Sequence, residues 1–268
     1  MPSRSVKQGS VISMTANTLS VKDLISYALG NLFSRFGTLL TLCTPSLLVL
    51  VICAVMARLA VPPAGTDTGL EAELLSIIGY MSFGSLFATL ALVPAFTGWH
   101  RLLITGNVRR ENGRFFGWDI REWRYLGRLL AIWFCMMGVN IMTQFLAPLF
   151  MAGSVIGAVI MAVLVVSAYA FIWAKLGLAM PAAALGKQTG FIEAIELAKG
   201  HTAQLAQALI STWLILGILG GILVMALTAL GAVIGSQYLV FVGVLLFYYL
   251  SLVASVGVLS RAYSVLQT

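Results

Sequence analysis

Residues 129–174 read LLAIWFCMMGVNIMTQFLAPLFMAGSVIGAVIMAVLVVSAYAFIWA, and they contain no Asp, Glu, His, Lys or Arg. As one helix, these 46 residues would extend about 69 Å, twice the roughly 30 Å of hydrocarbon in a bilayer. The stretch therefore reads as two crossings, with Ala147-Pro148 to Gly153 as the turn between them. A second run without Asp, Glu, Lys or Arg, residues 200–260, is again long enough for two, turning near Gly235-Ser236-Gln237. Towards the N-terminus, Phe36 to Ala57 and Leu74 to His100 supply one crossing each, carrying Pro45 and Pro94.

The predicted fold is thus all-α and polytopic. Residues 20–268 form a single transmembrane domain with six transmembrane helices, at about 36–57, 74–100, 127–148, 153–175, 204–234 and 238–261. Residues 1–19, polar and rich in Ser and Thr with no apolar core, read as a disordered cytoplasmic tail rather than a signal peptide. Composition agrees. Apolar residues make up 60% of the chain and charged residues 9%, against about 45–50% and about 25% in soluble domains. So large an apolar surplus has to face lipid, which excludes a soluble enzyme, a secreted domain and a nucleic-acid binder.

Cation placement sets the expected orientation, because Lys and Arg collect on the cytoplasmic side. With both termini inside, fifteen of the sixteen Lys and Arg residues are cytoplasmic, and only Arg58 lies outside. Six acids accompany the inner cations, giving +9 there. Arg58 with Asp67, Glu71 and Glu73 gives −2 outside, recovering the net charge of +7. The basic balance is therefore topology, together with attraction to anionic headgroups of about 1 kcal/mol per surface cation. Trp99, Trp118, Trp123 and Trp173 fall at predicted cytoplasmic interfaces, where an indole ring is favoured.

The spans group into three αα-hairpins, each preceded by an amphipathic interfacial helix. VKDLISYALGNLFSRF (21–36) places Val21, Leu24, Ile25, Ala28, Leu29, Leu32 and Phe33 at helical spacing, DIREWRYLGR (119–128) places Ile120, Trp123 and Leu126 or Gly127 on one side, and GFIEAIELAKGH (190–201) places Phe191, Ala194, Ile195 and Ala198. Such helices are expected to lie in the headgroup plane. The second helix of each hairpin ends alike: Trp99-His100-Arg101-Leu102, Trp173-Ala174-Lys175-Leu176 and Leu259-Ser260-Arg261-Ala262. Parallel repeats about an axis along the membrane normal would bring Arg101, Lys175 and Arg261 together beneath the bundle. Glycines four apart, Gly153/Gly157 and Gly217/Gly221 with Gly231/Gly235, lead us to expect spans four and five to touch near their outer ends.

In the third of these segments, GFIEAIELAKGHTAQL (190–205) follows Leu178-Ala179-Met180-Pro181-Ala182-Ala183-Ala184. It resembles uncharacterised six-span bacterial inner-membrane proteins related to the membrane domain of glycerophosphoryl diester phosphodiesterases. The likeness covers the last third of the chain, and His201 stands where that family has Asn. It implies a bacterial inner membrane and the fold, and no phosphodiesterase chemistry, since the catalytic domain has no counterpart.

Chemistry-bearing residues are few. No span carries an ionisable group at its middle, which argues against proton-coupled transport and intramembrane proteolysis. Cys43, Cys53 and Cys135 lie in apolar stretches without a CxxC pair and read as small hydrophobes. His100 and His201 are too isolated for a metal site, and His100 reads as an interfacial polar residue. Neither a cofactor nor a catalytic residue is expected.

Two groups qualify as candidate sites. Arg101, Lys175 and Arg261 are either an anion or lipid-headgroup site or ordinary snorkelling cations. Asn140, Thr143 and Gln144 in span three give a polar face, serving interhelical hydrogen bonds or lining a cavity. The expected function is non-enzymatic: a lipid-binding or membrane-organising protein, or an accessory to a larger membrane-protein complex. The alternative is a small-molecule transporter or channel. The expected partners are membrane lipids with anionic headgroups on the cytoplasmic side.

Overall fold

The computed structural model describes residues 19–60, 90–107, 118–151, 155–234 and 238–267. These residues are helical, with no strand among them. In chain order the helices are α1 (Val21–Ser34), α2 (Phe36–Ala60), α3 (residues 90–105), α4 (Ile120–Met151), α5 (Val155–Leu176), α6 (Ala179–Ala184), α7 (Phe191–Ala198), α8 (Thr202–Ile234) and α9 (Tyr238–Leu266). Four of them, α4, α5, α8 and α9, are long and apolar enough to cross a membrane, as a multi-pass membrane protein requires. A fifth crossing exists if α1 and α2, which meet at 78°, are counted as one broken span. Of the predicted span 74–100, only its last part, within α3, is among the described residues. The tail, the 108–117 loop and the turns at 152–154 and 235–237 lie outside them.

Local chemistry explains where the helices start. Ser20 Oγ accepts from Asp23 N–H at 3.4 Å. Asp119 Oδ1 accepts from Arg121 N–H at 2.7 Å, while Glu122 Oε2 takes Asp119 N–H at 3.1 Å. Glu193 Oε2 takes Gly190 N–H at 2.7 Å. Each of the three amphipathic segments thus opens on a residue followed three positions later by an acid, satisfying amides that a helix leaves without partners. α4 differs from expectation: the segment beginning at Ile120 and span three are one helix of 32 residues, about 48 Å long. It also runs through Pro148 to Met151, into the predicted turn.

Packing is concentrated at the ends bearing the cations. Ala170 and Ala174 of α5, Leu205, Ala208 and Leu209 of α8, and Val258, Leu259 and Ala262 of α9 share one buried cluster with Leu24 and Ala28 of α1. A second cluster joins Phe96, Trp99 and Leu103 of α3 to Tyr125 and Leu126 of α4, Met180 and Ala183 of α6, and Val253 and Ala254 of α9. Alanines are frequent in the first cluster and large side chains in the second, so close backbone approach in the one and dispersion contacts in both hold the helices together where lipid removes the hydrophobic effect. A Cβ on Gly257 would come within 3.0 Å of Ala28 Cα, so α1 rides directly on the α9 backbone.

Two packing expectations are corrected. α1 does not offer its apolar face to headgroups: Leu24, Ala28 and Leu32 are buried against neighbouring helices. α5 and α8 do pack together, but the buried residues they share lie at the cation-bearing ends. Gly217 and Gly221 face open space, and Gly157 instead lies hard against the Phe150 carbonyl at the start of its own hairpin.

Candidate functional site

The cation-bearing end carries nearly all the polar chemistry within the described residues. At its centre His100 is fully buried rather than interfacial, and its Nδ1 lies 2.7 Å from Ser260 Oγ, joining α3 to α9. Ser260 Oγ also donates to the Val256 carbonyl at 2.8 Å. The imidazole also packs on the buried Tyr125 ring of α4, with centroids 5.7 Å apart. One turn earlier on α3, Thr97 Oγ1 donates to Glu122 Oε1 at 3.1 Å. Glu122 therefore caps its own helix with one oxygen and grips α3 with the other, which is why a carboxylate is buried here without an isolated-charge penalty.

Two members of the predicted triad have partners of their own. Arg261 Nε bonds Asp23 Oδ2 at 2.9 Å, and its guanidinium stacks over the Tyr27 ring at 5.3 Å. Tyr27 Oη in turn donates to the Leu103 carbonyl of α3 at 2.6 Å. Burial raises the Tyr27 pKa against the opposing pull of Arg261 and Arg35, keeping the phenol protonated as that donor. Lys175 sits over Phe171 of its own helix, 4.7 Å from the ring centroid. Arg101 is half-buried and engaged within the protein. Arg261 ties elements together, joining α9 to α1.

Three other arginines, which the sequence reading assigned to the lipid surface, turn towards protein. On α4, Arg128 donates to the Ala179 carbonyl, Arg124 reaches the Gly186 carbonyl at 3.5 Å, and the Arg121 Nε lies 3.1 Å from where a Gly186 Cβ would be. Together they clasp α6, all six of whose residues are buried. Gly186 has φ +80°, a left-handed conformation that glycine adopts without strain and that ends this short helix. Trp118 and Trp123 remain at the surface, their rings 4.9 Å apart.

In span three the Tyr169 hydroxyl of α5 donates to Asn140 Oδ1, and Thr143 bonds the Val139 carbonyl of its own helix at 2.8 Å. Gln144 is exposed. Asn140 thus serves an interhelical hydrogen bond. The sequence reading missed the Thr97–Glu122 and His100–Ser260 pairs. The Asp119–Glu122 spacing is a legible capping signal, but no sequence pattern announces partners 25 and 160 residues apart. The three capped segments follow one order in space: α1 packs on α9, the start of α4 on α3, and α7 on α5.

No protein-family model, curated protein or solved structure matches this chain.

Proposed function

We propose that this chain is a non-enzymatic protein of a bacterial inner membrane, with six spans and both termini cytoplasmic. In this reading it binds anionic lipid headgroups at its inner face and thereby organises membrane or assists a larger complex. The observation that carries the proposal is the division of labour along the helices. Polar and cationic side chains crowd one end, and beyond it the helices present apolar faces such as Phe145, Ile218 and Met225. The likeness to the membrane domain of glycerophosphoryl diester phosphodiesterases belongs to this proposal too, as does the division into three hairpins. The order in which each capped segment packs on the end of the preceding pair, with α1 on α9 closing the ring, supports a threefold parallel repeat.

Two competing chemistries fit the residues less well. His100 and Ser260 resemble a nucleophile and base in distance, but Ser260 is buried, gives its proton to a backbone carbonyl, and faces His100 Nδ1 while Nε2 has no orienting partner among the described residues. A transport path through span three would need Asn140 facing a cavity, and it is bonded to Tyr169 instead.

The test is purification in native nanodiscs followed by lipid mass spectrometry, paired with solute flux in proteoliposomes. Anionic lipid enriched over the surrounding membrane, with no flux above empty liposomes, is the expected result. Bulk lipid composition together with solute flux would overturn the proposal in favour of a transporter.

A further inference from the structure

The corner between α1 and α2 holds chemistry that the packed end does not use. Arg35 caps α1, its N–H donating to the Asn31 carbonyl, and α2 leaves at 78°. In the six-span reading α2 crosses the bilayer alone, which lays α1 near the membrane plane and sets Arg35 at the headgroup level. Its side chain is exposed and has no partner among the described residues, whereas Arg124, Arg128, Lys175 and Arg261 are all engaged. The one carboxylate on α1, Asp23, is committed to Arg261, so among the described residues no carboxylate pairs with Arg35.

On the first turns of α2, which follow Arg35 in the chain, Gly37, Thr38, Thr41 and Leu42 line a shallow cavity of about 350 Å³. Thr41 and Thr44 give their protons to the Gly37 and Leu40 carbonyls at 3.0 and 2.7 Å, while the Thr38 hydroxyl has no partner among the described residues. Farther along the same face, at helical spacing from Thr41 and Thr44, come exposed Leu48, Val51 and Ile52. From the corner outward, the guanidinium of Arg35 is thus followed by hydroxyls on the first turns of α2 and then by branched apolar side chains on that helix. Phe33 and Phe36 flank its polar end, both exposed. That is the polarity profile of an anionic phospholipid lying alongside it.

We propose that this face binds one anionic phospholipid. The phosphate accepts hydrogen bonds from the Arg35 guanidinium and the Thr38 hydroxyl, and an acyl chain runs along Leu48, Val51 and Ile52. Arginine suits the role because its fork holds phosphate oxygens in pairs. The assignment rests on the lipid-binding reading above and locates it at a site outside the Arg101, Lys175 and Arg261 set.

The experiment uses the full chain in nanodiscs of mixed phosphatidylglycerol and phosphatidylcholine, released gently for native mass spectrometry. Wild type should retain phosphatidylglycerol in excess of the disc composition. Arg35→Ala should lose it by about tenfold or more, the scale of one charge-assisted hydrogen bond. Thr38→Val should fall in between, Arg35→Lys should recover part of the binding, and Arg261→Ala should retain the lipid. Millimolar inorganic phosphate should leave the retained lipid in place, and its displacement by phosphate would overturn the lipid as occupant. Wild-type retention by Arg35→Ala and Thr38→Val would overturn this site while leaving lipid binding intact. A wild type that keeps only the disc composition would overturn both. Should Arg35→Ala misfold, the order wild type, Arg35→Lys, Thr38→Val decides the same question.

Discussion

Compare the end of α9 with the outer part of α4. Of α9 residues Tyr249–Leu266, 61% are buried, whereas in the most apolar window of α4 the share is 6%. Both helices are apolar, so hydrophobicity alone does not decide which is packed. Close backbone approach and local polar anchors do. α9 buries Ala254, Gly257, Ser260 and Ala262 alongside the larger Tyr249, Leu259 and Tyr263, and α1 seats its own backbone against Gly257. The outer part of α4 presents Phe134, Met142 and Phe145, which hold neighbouring backbones apart and suit contact with lipid. A membrane helix is thus directed to protein or to lipid less by how apolar it is than by whether it allows close approach.

The sharpest way to break this comparison is to truncate one large side chain in each region. Trp99 is buried at the packed end and Phe145 is 74% exposed. Trp99→Ala should cost about 3–5 kcal/mol, and Phe145→Ala should stay within about 0.5 kcal/mol. Reversible denaturant unfolding in mixed micelles reads both, and comparable losses would end the distinction.

Smaller, but more specific, is a pair of glycines. Gly257→Ala pushes a methyl group to 3.0 Å from Ala28 and should destabilise by about 1–3 kcal/mol. Gly221→Ala meets open space and should be neutral or stabilising by up to about 1 kcal/mol, through helix propensity. The same unfolding measurement applies. A destabilising Gly221→Ala would show that its face is covered in the membrane, by a second chain or by a part of this one beyond the described residues. Smallest of all is Tyr169→Phe, which removes the hydroxyl bonded to Asn140. It should cost about 0.6 kcal/mol, and a loss of several kcal/mol would make the pair a centre of organisation in the outer region.

Much of the fold is legible in the residues themselves. The charge-free runs locate α5 and α8 to within a turn and the starts of both α5 and α9, because a bilayer permits few alternatives, whereas α4 begins about two turns earlier than its run implies. Helix starts at Ser20, Asp119 and Gly190 are legible as caps once the acid three residues on is noticed. Less legible is where each cation goes. A positive-inside count treats Arg121, Arg124 and Arg128 as surface charges, since a headgroup and a backbone carbonyl such as that of Ala179 attract a guanidinium for the same electrostatic reason. Only the position of α6 decides between them. His100 likewise carries the same local signal whether it lies at an interface or beneath Ser260. Its burial depends on α9, which sequence spacing does not place.

The account depends most directly on which way the packed end faces. In a chain with Cys43, Cys53 and Cys135 replaced by Ser, single cysteines at Thr105, Gln188, Gly65 and Ser236 can be tested in intact cells with a membrane-impermeant maleimide. Gly65→Cys and Ser236→Cys should label from outside, and Thr105→Cys and Gln188→Cys only after permeabilisation. Labelling of Gln188→Cys in intact cells would place the arginine-clasped α6 on the outer side and contradict the assignment of the packed, cation-bearing end to the cytoplasm.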